Sequence, residues 1–229
     1  MGTRYFTPAL FAFLRDLAEN NDRDWFKARQ DEYERHVREP ALDFVTDFAP
    51  SLGRLSPYFV ADSRKVGGSV FRIQRDTRFS KDKTPYKTHV GIQFRHHRST
   101  DDVHAPGYYL HLEPGGCYAG LGMWHPATED AGRIRSAIVD RPQQWRRATH
   151  GPRFRDVFTL DGDTLKRPPQ GFDPEHPLVE DLKRKDFVAG ARLTQRSVTS
   201  STFLDDYAAM LANASPFMRF LCDAVGVEF

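Results

Sequence analysis

The run of basic side chains over residues 71–89 holds more groups able to do chemistry than any other stretch of the sequence. It reads F-R-I-Q-R-D-T-R-F-S-K-D-K-T-P-Y-K-T-H and contains seven basic residues with only two Asp. Arginine offers a planar fork that matches phosphate or carboxylate, and lysine adds a point charge. We therefore predict that this run binds an anion. The candidate ligand-binding residues in it are Arg72, Arg75, Arg78, Lys81, Lys83, Tyr86 and Lys87.

The cations of the chain are concentrated around this run. Residues 64–98 contain ten Lys/Arg and two acids, which leaves 23 Lys/Arg and 29 Asp/Glu in the remainder. The formal net charge of the whole chain is only +2, so the sequence predicts a local positive field on a nearly neutral molecule. In an extended backbone Arg72 and Arg75 point to opposite faces, so only part of the run can contact one ligand.

Two other interpretations of the same run stay open. Asp76 and Asp82 can form ion pairs with the neighbouring cations, and the run is then a structural staple of the fold. Alternatively, the cations stabilise negative charge that develops in a reaction, and Asp76 or His89 acts as the general base. Neither residue is assigned a catalytic role by any recognised motif.

A second group of candidate ligand-binding residues follows the basic run. Gly120 and Gly122 alternate with apolar residues, which leaves one face of a strand bare and lets a ligand, a helix or another backbone approach closely. Aromatic and basic side chains next to this bare face would form a wall on which a single-stranded nucleic acid could stack, although no nucleic-acid-binding motif is present. The wall residues are Tyr109, His111, Trp124 and Arg72.

The sequence contains no recognised metal-binding pattern. His111 and Glu113 share one face of a predicted strand, but a metal site needs three or four converging ligands, so we predict none. Cys117 and Cys222 are the only cysteines, and we expect both to be reduced, partly buried thiols. The sequence assigns no cofactor and no oligomeric state.

Apolar periodicity predicts helices at both ends of the chain. Thr7-Pro8 begins the first helix, which ends near Asn20; Asp22 or Asp24 caps a second, and Pro40 begins a third. Helices are also expected over residues 129–140, 142–150 and 177–185. The last long helix is expected to follow Ser200 or Ser201 and to restart at Pro216.

Alternating patterns predict a sheet in the middle of the chain. Strands are expected over residues 70–75, 90–95, 108–112, 117–124 and 186–193. The turns between the first four are short, which favours antiparallel pairing. We therefore predict a single α+β domain over residues 1–229, with N-terminal helices, a central mainly antiparallel sheet of about four to six strands, and C-terminal helices packed on it.

We expect a cytoplasmic protein that does not associate with a membrane. No apolar stretch approaches the ~20 residues that span a bilayer, and the first residues lack the pattern of a secretory signal.

Four segments resemble a known family. They are N-N-D-R-D-W-F at residues 20–26, the basic run at residues 71–89, P-G-Y-Y-L-H-L at residues 106–112, and P-P-Q-G-F at residues 168–172. Together they resemble DUF2461, a family of bacterial and fungal proteins catalogued as a domain of unknown function. The resemblance covers nearly the whole chain and implies a shared fold, but it transfers no reaction, cofactor or catalytic residue.

These observations lead to one functional prediction with two alternatives. We predict that the chain binds a phosphate-bearing or otherwise anionic small molecule through the basic run. The alternatives are an enzyme of hydrolase or transferase type that uses the run to stabilise negative charge, and a structural or interaction protein in which the run is an internal staple.

Overall fold

The computed structural model describes residues 2–99 and 104–229, without the side chain of Ser99. Met1 and residues 100–103, which fall within the expected domain, lie outside the described residues. The chain folds as the predicted α+β domain. Its α-helices are α1 Pro8–Glu19, α2 Arg23–Ala28, α3 Gln30–Tyr33, α4 Glu39–Leu55, α5 Thr128–Asp140, α6 Pro142–His150, α7 Pro152–Arg155, α8 Val179–Leu182, α9 Gln195–Val198, α10 Phe203–Ala212 and α11 Ser215–Val225.

In the described residues, six strands form one sheet in which all neighbours are antiparallel. Their spatial order is β1-β2-β3-β4-β6-β5. The strands are β1 Phe59–Val60, β2 Val90–His96, β3 Gly107–Leu112, β4 Tyr118–Met123, β5 Thr159–Asp161 and β6 Phe187–Arg192. The predicted strands after residue 89 are thus confirmed, and the strand at residues 159–161 lies in a stretch that the sequence left irregular.

Helices cover one face of this sheet and form the core with it. Because side chains alternate across a strand, Ile92 and Leu110 point to the helices and are fully buried. Phe48 of α4 packs on Phe94 of β2 with ring centroids 4.9 Å apart, and the Tyr207 hydroxyl of α10 donates to the Tyr109 carbonyl of β3 at 3.3 Å. The opposite face of the sheet, called the open face below, carries the candidate site.

The N-terminal helices begin where the sequence predicts, with one difference. Thr7 precedes α1, and the Asp22 carboxylate caps α2 by accepting from the backbone N–H groups of Asp24 and Trp25. The predicted break before Pro40 is wrong, because α3 continues through a π-helical turn, Glu34–Arg38, into α4. A proline has no N–H and its ring needs room, and the wider π turn supplies that room.

The predicted strand over residues 70–75 is also wrong in part. This segment is extended, but it forms only isolated bridges, Val70 with Ile92 and Gln74 with Tyr86. It leaves the edge of β2 after residue 71 and pairs instead with its own return limb, where the Arg75 N–H donates to the Pro85 carbonyl at 2.8 Å. A single straight strand over residues 70–75 could not pair with β2 and with the return limb at the same time.

Within the described residues, no helix is both long and apolar enough to cross a membrane.

Candidate functional site

A cavity of about 590 Å³ lies on the open face of the sheet. Its floor is made of strand residues without side chains, and its walls are mainly aromatic. Among the residues that the structure describes, no helix lines this space, so the bare face is accessible to a ligand there. The lining residues are Phe71, Gln93, Gly107, Tyr109, Tyr118, Gly120, Leu121, Gly122, Trp124, Asp161, Gly162, Val188, Ala189 and Gly190.

Strand register creates the bare floor. Tyr109 of β3 lies opposite Gly120 of β4, which lies opposite Gly190 of β6. Two adjacent strands therefore present no side chain beside the Tyr109 ring. A methyl group added to Gly120 would meet the nearest atoms of Tyr109 and Tyr118 at 3.6 Å, an ordinary contact. The absence of a side chain there is thus not required by the packing of the fold.

Gly122 is different, because the backbone needs a glycine at that position. Its φ is +116°, a conformation that L side chains rarely adopt. A Cβ atom would also overlap the Phe187 carbonyl oxygen of β6. Gly122 therefore permits both the local path of β4 and its close pairing with β6.

Aromatic side chains of four different segments line the cavity. Phe71 packs on Tyr109 with ring centroids 6.1 Å apart, and Tyr109 is 5.7 Å from Tyr118. Trp124, just after β4, is 54% exposed and stacks on His125 at 4.2 Å. Burial raises the pKa of the Tyr109 hydroxyl, so this group is neutral and can donate or accept a hydrogen bond.

A cluster of two histidines and a glutamate lies beside the tyrosines. One ligand atom from each of His89, His111 and Glu113, called the histidine cluster below, lies within 4.8 Å of the other two. The His89 and His111 rings are 4.4 Å apart, and His111 Nε2 is 3.3 Å from a Glu113 carboxylate oxygen. Burial, followed by the charge of His111, lowers the pKa of His89 to about 4, and burial lowers the pKa of His111. Both imidazoles are therefore neutral near pH 7.

Much of the basic run bonds to itself. Asp76 accepts from the Arg78 guanidinium at 2.6 Å, and this bond lowers the pKa of Asp76 to about 2. The Asp82 pKa is also lowered to about 2, first by the Thr84 backbone N–H and then by Arg75, which is paired with Asp82.

The lysines of the run differ in their surroundings. Lys83 donates to the Thr77 carbonyl at 2.8 Å, and Lys87 donates to the Arg72 carbonyl at 2.9 Å. Lys87 is half-buried, and burial lowers its pKa. Lys81 is exposed.

The structure divides the predicted site residues into three groups. Of the four predicted wall residues, only Tyr109 and Trp124 line the cavity; His111 lies next to Tyr109 but belongs to the histidine cluster, and Arg72 is not among the lining residues. Lys87 does not line the cavity, but its Nζ lies 5.3 Å from the ring centroid of Phe71, which does. The remaining candidates do not line the cavity; they are Arg72, Arg75, Arg78, Lys81, Lys83 and Tyr86, together with the candidate bases Asp76 and His89.

Among the lining residues that sequence reasoning did not single out, four have aromatic or polar side chains. Tyr118 shares a strand face with Gly120, so the alternation that revealed the bare face could have included it. Phe71 and Gln93 were assigned to strands without a site. Asp161 lies in a stretch with no regular pattern, and only the pairing of β5 with β6 brings it to the cavity.

The family described as "Conserved hypothetical protein (DUF2461)" matches residues 9–220. The chain belongs to the DUF2461 family. A comparison with curated proteins finds no match.

In this DUF2461 chain two of the segments that carry the resemblance contact each other. The Asn21 side chain donates to the Tyr86 carbonyl at 3.0 Å and accepts from the Tyr86 N–H at 3.1 Å. The Phe26 ring stacks on the Tyr86 ring at 4.1 Å. These contacts hold the return limb of the basic run against α2. The backbone and the ring of Tyr86 therefore both contribute to the fold.

Proposed function

We propose that the chain binds a small molecule that combines a flat ring with an anionic group, and that the cavity on the open face holds the ring. The observation that carries this proposal is the aromatic wall above a floor of glycines. The cavity volume of about 590 Å³ falls within the ~300–1,000 Å³ of small-molecule sites. Aromatic side chains stack on flat rings, and bare backbone lets a ring approach closely.

The charges around the cavity suggest how the ligand is oriented. Lys87 Nζ is 5.3 Å and the Arg95 guanidinium carbon 5.7 Å from the centroid of Phe71, at the β2 side of the cavity. Asp161 lies at the β5 side. The anionic group of the ligand therefore belongs near Phe71, and a hydrogen-bond donor of the ligand belongs near Asp161.

This proposal retains only part of the anion site predicted from sequence. Lys87 donates to the Arg72 carbonyl and also lies beside the lining residue Phe71, whereas Arg75, Arg78 and Lys83 bond within the run and are not next to a lining residue in the contacts described. Those bonds support the staple interpretation for the tip of the run. Binding of an anion at the tip remains a prediction, as do nucleic-acid binding and the cytoplasmic location.

The enzyme alternative has less support. A carboxylate with a pKa of about 2, such as Asp76 beside Arg78, is a weak base. Burial lowers the pKa of His89 to about 4, which makes this imidazole a weak base, and His89 is not among the residues that line the cavity.

The experiment compares ligands that have the ring, the anion, or both. Thermal unfolding would be measured with nucleoside monophosphates and aryl phosphates, with the matching nucleosides and phenols, and with ribose 5-phosphate. A ligand that binds only the folded state raises the melting temperature, so we expect the largest shifts from compounds with both parts.

Two matched lysine variants then locate the anion. Lys87→Met should reduce the shift, whereas Lys81→Met, which removes an exposed lysine of the same run, should leave it unchanged. The proposal is wrong if no ring-bearing anion raises the melting temperature, or if ribose 5-phosphate acts as strongly as the ring-bearing phosphates. Equal losses in the two variants would favour the tip of the run as the anion site.

A further inference from the structure

The histidine cluster arises from the antiparallel pairing of β2 with β3. Val90 lies opposite Leu112, and one further step of that register brings His89 opposite Glu113. His111 lies two residues before Glu113 and therefore on the same face. The sequence places His111 and Glu113 together but separates His89 from them by more than twenty positions, so only the fold supplies the third group.

The three groups are a suitable donor set for a transition metal. Two neutral imidazoles and one carboxylate, with positions left open, are the protein ligands of many catalytic zinc and non-haem iron sites. Tetrahedral zinc ligands at about 2.0–2.2 Å from the ion are ~3.3–3.6 Å apart. Because the cluster atoms lie within 4.8 Å of one another, side-chain rotations that shorten the longest separation by ~1.5 Å bring them to this distance. The Glu113 side chain is 40% exposed and has room to rotate.

The surroundings of the cluster also favour a metal. Among the described residues, the His89 ring has no hydrogen-bond partner; its neighbours are the His111 ring and nearby charges. His111 directs Nε2 towards Glu113, while its Nδ1 is 2.9 Å from the Tyr109 hydroxyl. A ligand histidine is commonly held in this way by a second hydrogen bond on its other ring nitrogen.

We propose that His89, His111 and Glu113 bind one divalent transition-metal ion, with zinc as the probe, at the end of the cavity formed by Tyr109 and Tyr118. Tyr109 lines the cavity and hydrogen-bonds His111, and the Tyr118 ring stacks on the His111 ring at 4.7 Å. The histidine cluster lies on the same side of the sheet as the ligand cavity. This inference goes beyond the proposed function, because metal binding is measured without any organic ligand.

The test is a zinc titration of the whole chain, without a polyhistidine tag and after treatment with a chelator. Isothermal titration calorimetry should give one site per chain, and cobalt should produce an absorption band of imidazole-ligated metal. We expect Glu113→Gln and His89→Asn each to weaken zinc binding by about tenfold or more, because even loss of an outer-shell partner costs ~10–100-fold. Both side chains are partly exposed, so the variants should fold, and circular dichroism would verify this.

His150→Asn is the matched control. It removes an exposed histidine at the end of α6 and should leave zinc affinity unchanged. Wild-type protein that binds no zinc, or Glu113→Gln and His89→Asn variants that bind zinc as tightly as the control, would overturn the inference. If wild type binds zinc but no ring-bearing anion, only the proposed function is contradicted.

Discussion

The Tyr109 hydroxyl lies 2.9 Å from His111 Nδ1 and joins the wall of the cavity to the histidine cluster. Both residues are on β3, two positions apart, so they project from the same face of the sheet. Tyr109 lines the cavity, and His111 is 8% exposed. A change in one hydroxyl group can therefore test how the two parts of the open face are connected.

Tyr109→Phe keeps the aromatic wall and removes this hydrogen bond. Without a partner on Nδ1, the His111 ring is held less firmly with Nε2 towards Glu113. We expect zinc affinity to fall by about tenfold while the thermal shifts with ring-bearing anions stay close to those of wild type. Calorimetry measures the first quantity and thermal unfolding the second. Unchanged zinc affinity would show that the hydroxyl does not position His111.

Gly122→Ala should destabilise the fold. The residue would need a φ of +116° and would place its methyl group against the Phe187 carbonyl, so we expect a loss of at least ~2 kcal/mol in the free energy of unfolding. Urea denaturation measures this loss. Gly132→Ala on α5 is the control, since no atom lies within 4 Å of the added carbon; a helix gains ~0.5–1 kcal/mol from this change. A Gly122→Ala variant as stable as wild type would contradict the described path of β4.

Local signals predicted most of the fold correctly. Thr7-Pro8 and Asp22 mark helix starts, and a short turn joins β3 to β4 as predicted, because capping and turn preferences act within a few residues. The failures at residues 70–75 and before Pro40 depend on distant contacts. Whether residues 70–75 pair with β2 or with residues 85–87 is decided by competition between two edges, and the π turn before Pro40 depends on helix packing.

Asn21→Ala should loosen the basic run. The amide of Asn21 makes two hydrogen bonds with the Tyr86 backbone, at 3.0 and 3.1 Å, and each contributes about 0.5–1.5 kcal/mol. We expect faster hydrogen exchange at the Tyr86 amide and a loss of stability of ~1–3 kcal/mol. The neighbouring Asn20→Ala, which loses only a bond to the Asp16 carbonyl, should leave that amide unchanged. The same exchange rate in both variants would show that Asn21 does not anchor the run.

Acid should destabilise the chain through His96. This ring is fully buried; Nε2–H donates to the Glu228 carbonyl at 2.9 Å and Nδ1 accepts from the Arg98 N–H. Burial lowers the pKa of His96, and the charges of His97 and Arg98 act in the same direction, whereas the Glu228 carbonyl and charge raise it. Below the ordinary value of 6.5 the unfolded chain binds a proton that the folded chain does not, so stability falls as pH decreases.

The measurement for His96 is the free energy of unfolding by urea between pH 7 and pH ~5. His96→Gln should show a flatter dependence on pH than wild type. His150→Gln, at an exposed position, should keep the wild-type slope. Equal slopes in all three proteins would mean that His96 does not contribute to acid sensitivity.

The candidate site was less predictable than the fold. Tyr109, Trp124 and the bare face at Gly120 follow from alternation along two strands, so the sequence could identify them. The cations of the basic run were visible too, but whether Arg78 contacts a ligand or Asp76 depends on loop geometry that no period encodes. His89 and Asp161 reach the open face through strand pairing over long separations, which a single sequence does not specify.

The most direct test of the ligand cavity is a calorimetric titration of Gly120→Leu and wild type with the panel of ring-bearing phosphates. A Cβ atom at position 120 makes only ordinary contacts, so the variant should fold, and the rest of the leucine side chain should fill the space above the floor. We predict that wild type binds at least one of these compounds and that Gly120→Leu, with an unchanged circular dichroism spectrum, binds it about tenfold or more weakly, a loss of at least ~1.4 kcal/mol. Equal affinity of the two proteins for every compound would contradict the account.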